Sequence, residues 1–263
     1  VTAFRALVKK ELATLFASPL AYLALTLVML VTALIFFDHL RVYNQILFLY
    51  ASTTMGGFES DTIPDHINVR DSVFFPVLET LGITLIALIP VITMRVFAEE
   101  RARGTDELLL TTHLSPGQIV GAKFLVTYGF VVLMMAGSFV YPAMATVEGG
   151  IGAEHLLAVF AGLSLHALGL ASLGLACSAW SSSQLVAAVS SWAVGFVLWD
   201  FAWASPFVGE RVGKFLDAIS MHPRYGAFAE GIVHLEHFAY FAGLGLVCAA
   251  LTRFAFDWRR VAG

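Results

Sequence analysis

Apolar positions along this chain gather into six long runs separated by short polar segments. The first, residues 20–37, holds 18 residues without a charge. The others cover 73–94, 119–141, 155–176, 185–201 and 238–253. Each approaches the roughly 20 apolar residues that cross about 30 Å of hydrocarbon as a helix. The pattern predicts an all-α integral membrane protein, a single domain with six transmembrane helices. Residues 38–72 read as a mixed polar loop, and Pro142 as the stop of the third span. Pro90 is expected to bend the second span.

Two further segments show helical periodicity without the length to span. In residues 1–17, Val1, Phe4, Val8, Leu12 and Leu15 share one narrow arc, with Thr2, Lys9 and Lys10 outside it. That stretch is either an amphipathic helix in the membrane interface or the charged flank of the first span. Between the fifth and sixth runs, Val208, Val212, Phe215 and Ile219 repeat at helical spacing, with Glu210, Arg211, Lys214 and Asp217 elsewhere on the wheel. The spacing predicts a short amphipathic helix that lies on the membrane or dips into it.

Composition agrees with a membrane protein. Of 263 residues 59% are hydrophobic and 13% charged, against about 25% charged in a typical soluble domain. The net charge of −4 leaves no basic footprint for nucleic acid. Cys177 and Cys248 both fall inside apolar runs, read as small core residues, and reveal nothing about redox compartment. Arg5, Lys9 and Lys10 interrupt the first apolar stretch, which therefore does not read as a cleavable signal.

Charge also sets orientation. With the N-terminus inside, ten Lys and Arg residues fall inside and five (Arg41, Arg70, Arg211, Lys214 and Arg224) outside, while acids divide 6 inside to 13 outside. The basic excess places both termini and the loop between spans two and three in the cytoplasm. That loop, Met94 to Leu110, is the most charged segment of the chain. Gly104-Thr105-Asp106-Glu107 reads as a helix start, with Thr105 able to cap and the acids favouring the positive end of the helix dipole. Leu108-Leu109-Leu110 then provide an apolar face. Two readings stay open: a docking surface for a cytoplasmic partner, or a helical loop lying against the bilayer.

Candidate chemistry is sparse. The chain has no phosphate-binding Gly-rich loop with Lys-Ser/Thr, no His-Glu-x-x-His pair and no Gly-x-Ser-x-Gly elbow. It is not expected to be an enzyme, to hold a metal or to bind a cofactor itself. His234 and His237, spaced i, i+3, read as loop histidines, short of the three or four ligands a metal needs. Lys123 is the single charge in the run 119–141, and Glu79 and His166, inside the second and fourth runs, are the candidate pathway residues. Glu79 reads equally as a carboxylate at headgroup level, and His166 as a neutral histidine bonded to a neighbouring helix.

Met94-Arg95, Phe97-Ala98-Glu99-Glu100-Arg101, Gly104-Thr105, Glu107-Leu108-Leu109-Leu110-Thr111, Leu114-Ser115, Gln118-Ile119-Val120 and Lys123-Phe124 together resemble the cytoplasmic signature of ABC type-2 transporter permeases. The resemblance is nearest the Gld-type, gliding-motility-associated subgroup, with copper-enzyme-maturation permeases close by. Leu15 to Tyr22 and Gly231-Ile232-Val233 match that group as well, whereas His113 and His234 depart from it. The resemblance implies the permease subunit of an ABC exporter: two permease chains, identical or paralogous, with two cytoplasmic ATPase subunits that hold ATP and Mg. It implies a coupling helix at 104–112 that docks on the ATPase through Glu99, Glu100, Arg101, Gly104, Thr105, Glu107, Leu108 and Leu109. It further implies a second contact through the interface helix with Arg5, Lys9 and Lys10, and short re-entrant helices at 207–231 on the outer side. Membrane lipid and a periplasmic accessory protein are further expected contacts. The alternative is an ATPase-regulated membrane scaffold for periplasmic or motility machinery without bulk transport.

Overall fold

The computed structural model describes residues 2–55, 67–105, 114–149 and 151–262, and among these it contains helices and no strand. Helix α1 (Thr2–Ala17) is broken from α2 (Pro19–Met55) at Ser18, whose hydroxyl accepts from the Leu20 amide at 3.3 Å. Proline at the first position of α2 lacks the N–H that a helix start would leave unpaired. A π-helical turn, Arg70–Phe74, leads into α3 (Phe75–Ala102). Then follow α4 (Pro116–Ser138), α5 (Val140–Gly149), α6 (Ala153–Trp180) and α7 (Gln184–Trp199). A 3-10 segment, Phe201–Phe207, precedes the short helices α8 (Glu210–Ile219) and α9 (His222–Ala229), and α10 (Leu235–Ala262) completes the bundle.

Five of these stretches are long and apolar enough to cross a membrane, and a sixth is counted if α7 and the 3-10 segment, bent by 51°, form one span. The molecule is thus a multi-pass membrane protein. The apolar windows of α3 and α6 are each 61% buried, those of α2 and α10 only 28% and 22%. The first pair therefore forms the centre, and the second presents most of its surface outward. Helix α6 packs against α3, α4, α7, α9 and α10. The main core joins Leu85, Ile89, Met134, Leu163, Leu170 and Phe241 across these helices.

Several helix bounds differ from the sequence reading. Helix α2 runs through Asp38 to Met55, so half of the expected loop at 38–72 is helical. Its 37 residues correspond to about 55 Å at about 1.5 Å per residue, well beyond the hydrocarbon. Leu40, Val42, Ile46 and Leu47 keep good helix formers in place, no Gly or Pro intervenes, and Asp38 pairs with Arg41 at 2.9 Å. Pro142 does not end the third span either. The break falls at Phe139, and Pro142 sits in the first turn of α5, where a missing N–H costs nothing. Helix α3 continues through Pro90. Thr93 donates to the Ile89 and Pro90 carbonyls and Trp192 to that of Ala87, so side chains satisfy the backbone around the proline.

The face of α1 is also rotated from expectation. Leu7 is its buried residue, with Phe4 and Val8 beside it, whereas Leu12 is 39% exposed. Phe97, Ile119, Leu175 and Phe256 complete that cluster, so α1 and the corresponding ends of α3, α4, α6 and α10 meet at one end of the bundle.

Candidate functional site at the charged end of the bundle

The end of α3 is closed by Gly104 in the left-handed region, φ 67°. The Gly104 amide donates to the Arg101 carbonyl at 3.0 Å and the Thr105 amide to that of Glu100 at 2.9 Å, the pair of bonds that seals a helix C-terminus around a left-handed residue. The Thr105 hydroxyl donates to the same Glu100 carbonyl at 3.1 Å. Glu107, Leu108 and Leu109, with the rest of 106–113, lie outside the described residues. On the far side, Ser115 caps α4 reciprocally: the Ser115 hydroxyl accepts from the Gln118 backbone amide, and the Gln118 side-chain oxygen accepts from the Ser115 backbone amide.

Between these two caps lies an ion-pair network. Lys123, about two turns into α4, is 1% exposed and holds three acceptors for its three N–H donors: Glu100 Oε2 at 2.9 Å, Glu11 Oε1 at 3.2 Å and the Val96 carbonyl at 2.9 Å. Its ammonium also lies 5.3 Å from the centre of the Phe97 ring, a favourable cation–π placement. Lys10 reaches the other Glu100 oxygen at 2.9 Å and Glu11 at 3.1 Å. Partial burial lowers the Lys10 pKa, but its hydrogen bonds and the charges of Glu100 and Glu11 outweigh that and hold it above the ordinary lysine value. Glu99 is bracketed by Arg95 at 2.7 Å and Arg103 at 2.6 Å, and Arg95 donates to the Ser18 hydroxyl at 2.6 Å.

A second set of bonds joins α3 to α6. Arg101 donates to the carbonyls of Ala179 and Ser181, where a cation complements the negative end of α6. The buried Ser178 hydroxyl accepts from the amides of Phe97 and Ala98, each at 3.1 Å, and donates to the Met94 carbonyl at 3.0 Å. The expected site residues Glu99, Glu100, Arg101 and Lys10 are therefore brought together, and Gly104 and Thr105 terminate the same helix. Arg5 and Lys9 stay exposed on α1. A cavity of about 570 Å³ opens between α1, the start of α2, the end of α3 and the start of α4.

Sequence reasoning missed Glu11, Ser18, Lys123 and Ser178 as members of this assembly. One signal was visible, a single cation within the third apolar run. A family model described as ABC-2 family transporter protein matches residues 57–209, a stretch that includes α3 to α7. The chain belongs to this family. No curated protein matches it. Membership makes the chain a membrane transport component and not itself a catalyst.

In this ABC-2 protein the match also takes in Glu79, early in α3, and His166, midway along α6, whereas α8, α9 and α10 lie outside it. The Glu79 carboxylate is half-exposed and pairs with His222 Nε2 at 2.8 Å. His166 is fully buried, its Nε2 3.4 Å from the Gly82 carbonyl and its Nδ1 without a hydrogen-bond partner. Trp199 lies between the two sites, its ring 4.9 Å from His166 and 5.0 Å from His222. The structure thus connects the two candidate pathway residues through a tryptophan. Helix α9 is fastened there as well, with Tyr225 donating to the Leu78 carbonyl at 2.7 Å and His155 within 3.0 Å of the Ala229 carbonyl. Of the segment between α7 and α10, α9 enters the core and α8 keeps Val212 and Phe215 exposed. Among the described residues no three His, Cys, Asp or Glu side chains form a metal-sized group.

Proposed function

We propose that this chain is the permease subunit of an ATP-driven exporter in the inner membrane, with both termini in the cytoplasm. A separate cytoplasmic ATPase subunit binds ATP and Mg, and a second permease chain, identical or paralogous, completes the pore. Residues 104–112 act as the coupling helix, with Leu108 and Leu109 as its apolar face, and Arg5 and Lys9 of α1 form a second contact. Within the family, the residues quoted between Met94 and Phe124 support a place near the Gld-type members.

One observation carries the mechanical part of this reading. Immediately ahead of residue 106, α3 is bonded through Glu100 and Lys123 to α1 and α4, and through Arg101 and Ser178 to α6. A push on the segment between Gly104 and Ser115 is then passed to four helices together. Such a push shifts the bundle only if the ATPase contacts the segment differently in its two nucleotide states.

The test is the double substitution Leu108→Ser and Leu109→Ser in the complex purified with its ATPase. The expected outcome is loss of co-purification or of permease-dependent ATPase stimulation. Stimulation at the wild-type level would refute the docking surface. ATP-dependent flux in vesicles that is abolished by a hydrolysis-dead ATPase supports export, whereas unchanged flux rejects it.

A further inference from the structure

The cavity at the charged end has two kinds of wall. Leu15, Leu20, Ala21, Ile92, Val96 and Val126 make its deeper part apolar, and Lys10, Arg95, Arg103, Glu11, Glu99 and Glu100 ring its mouth. At about 1.5 Å per residue, the stretch of α3 from Ile92 to Arg103 covers about 16 Å, close to half of a hydrocarbon core about 30 Å thick. The cavity therefore runs from the aqueous level down among spanning helices. Its volume of about 570 Å³ lies within the roughly 300–1,000 Å³ of sites that hold a ligand.

Charge decides what suits the mouth. Four cations line the cavity (Lys10, Arg95, Arg103 and Lys123) against three acids (Glu11, Glu99 and Glu100), an excess of one positive charge. The acids are consumed internally, Glu99 by Arg95 and Arg103, and Glu11 and Glu100 by Lys123 and Lys10. Lys123 is fully engaged as well, but Arg95 and Arg103 are not. Glu99 and Ser18 engage three of the five N–H groups of Arg95, and the Arg103 side chain is 70% exposed beside Glu99. A soluble anion would suit the mouth and leave the apolar floor wet. A neutral hydrocarbon would fill the floor and leave the remaining N–H groups of Arg95 and Arg103 without an anion.

We propose that this cavity binds one anionic phospholipid of the leaflet at the charged end, with its phosphate between Arg95, Arg103 and Lys10 and its upper acyl chain along Leu15, Ala21, Ile92 and Val126. The headgroup bridges α1 to α3 across the rim and so adds to the connection between the two helices. The proposal does not depend on which side of the membrane the charged end faces, nor on the coupling role of residues 104–112.

The experiment uses the full complex in nanodiscs of equal parts phosphatidylglycerol and phosphatidylcholine, and counts lipids retained per permease chain by native mass spectrometry. Wild type should retain phosphatidylglycerol over phosphatidylcholine by about fivefold, the preference expected for one net negative headgroup charge beside one basic side chain, since the choline cation cancels the phosphate charge in phosphatidylcholine. Arg103→Gln should reduce that preference to near unity. Thr14→Trp, at an exposed position of the lining, should block retention of both lipids while the melting temperature stays within a few degrees. Equal retention of the two lipids by wild type would overturn the proposal, without recourse to any variant. So would wild-type retention in folded Thr14→Trp protein, or displacement of the lipid by excess inorganic phosphate, which would mark an anion site with no use for the acyl chain.

Discussion

Lys123 is the residue on which the charged end turns. A lone ammonium at 1% exposure is tolerated because two carboxylates and one carbonyl surround it. Removing one partner of a buried pair typically costs about 3–5 kcal/mol, because the remaining charges stay buried and unpaired. Lys123→Met should therefore lower thermal stability sharply in detergent, measured by the unfolding of purified protein. Adding Glu11→Gln and Glu100→Gln to that variant should recover most of the loss. The Glu79–His222 pair belongs to a different regime, since both side chains are well exposed. Glu79→Gln should change stability by less than about 1 kcal/mol in the same assay. Lys123 stood out in the sequence as a single charge in an apolar run, but its partners on α1 and α3 did not, because pairing across helices follows no sequence spacing.

Between elements, the seam of α3 and α6 depends on a glycine. A Cβ placed on Gly174 would overlap the side chain of Thr93, so the two backbones approach only because position 174 has no side chain. Close approach at small residues is how membrane helices gain packing contacts without a hydrophobic drive between them. Gly174→Ala should destabilise the protein by about 1–3 kcal/mol, the usual cost of overpacking, and Thr93→Ala should relieve part of that loss in a double-mutant cycle. Nothing in the sequence marks which helix Gly174 would meet. The rotated face of α1 has the same origin, since Glu11 is drawn inward by Lys123 and Leu12 is left exposed.

For the whole molecule, topology is the property to test. With both termini inside, Ser182 between α6 and α7 faces the cytoplasm, and Lys214 on α8 faces outward. In a background with Cys177 and Cys248 replaced, Ser182→Cys should react with a membrane-impermeant thiol reagent only in inverted vesicles. Lys214→Cys should react only from the outside of intact cells. Labelling of both positions from one side would require α7 and the bent 3-10 segment after it to be re-entrant, leaving the five spans that are long and straight enough by themselves.

Apolar run lengths alone determined that the chain is a helical membrane protein, how many times it approaches the bilayer and where its charges concentrate, because hydrocarbon thickness translates directly into sequence length. The motif around Glu99 to Phe124 carried the family. Tertiary structure alone decided which charges meet. Only whole membrane crossings bring α1 and the end of α6 to the junction of α3 and α4, so the cage around Lys123, the anchoring of α3 by Ser178 and Arg101, and the cavity between them arise only once the bundle has packed.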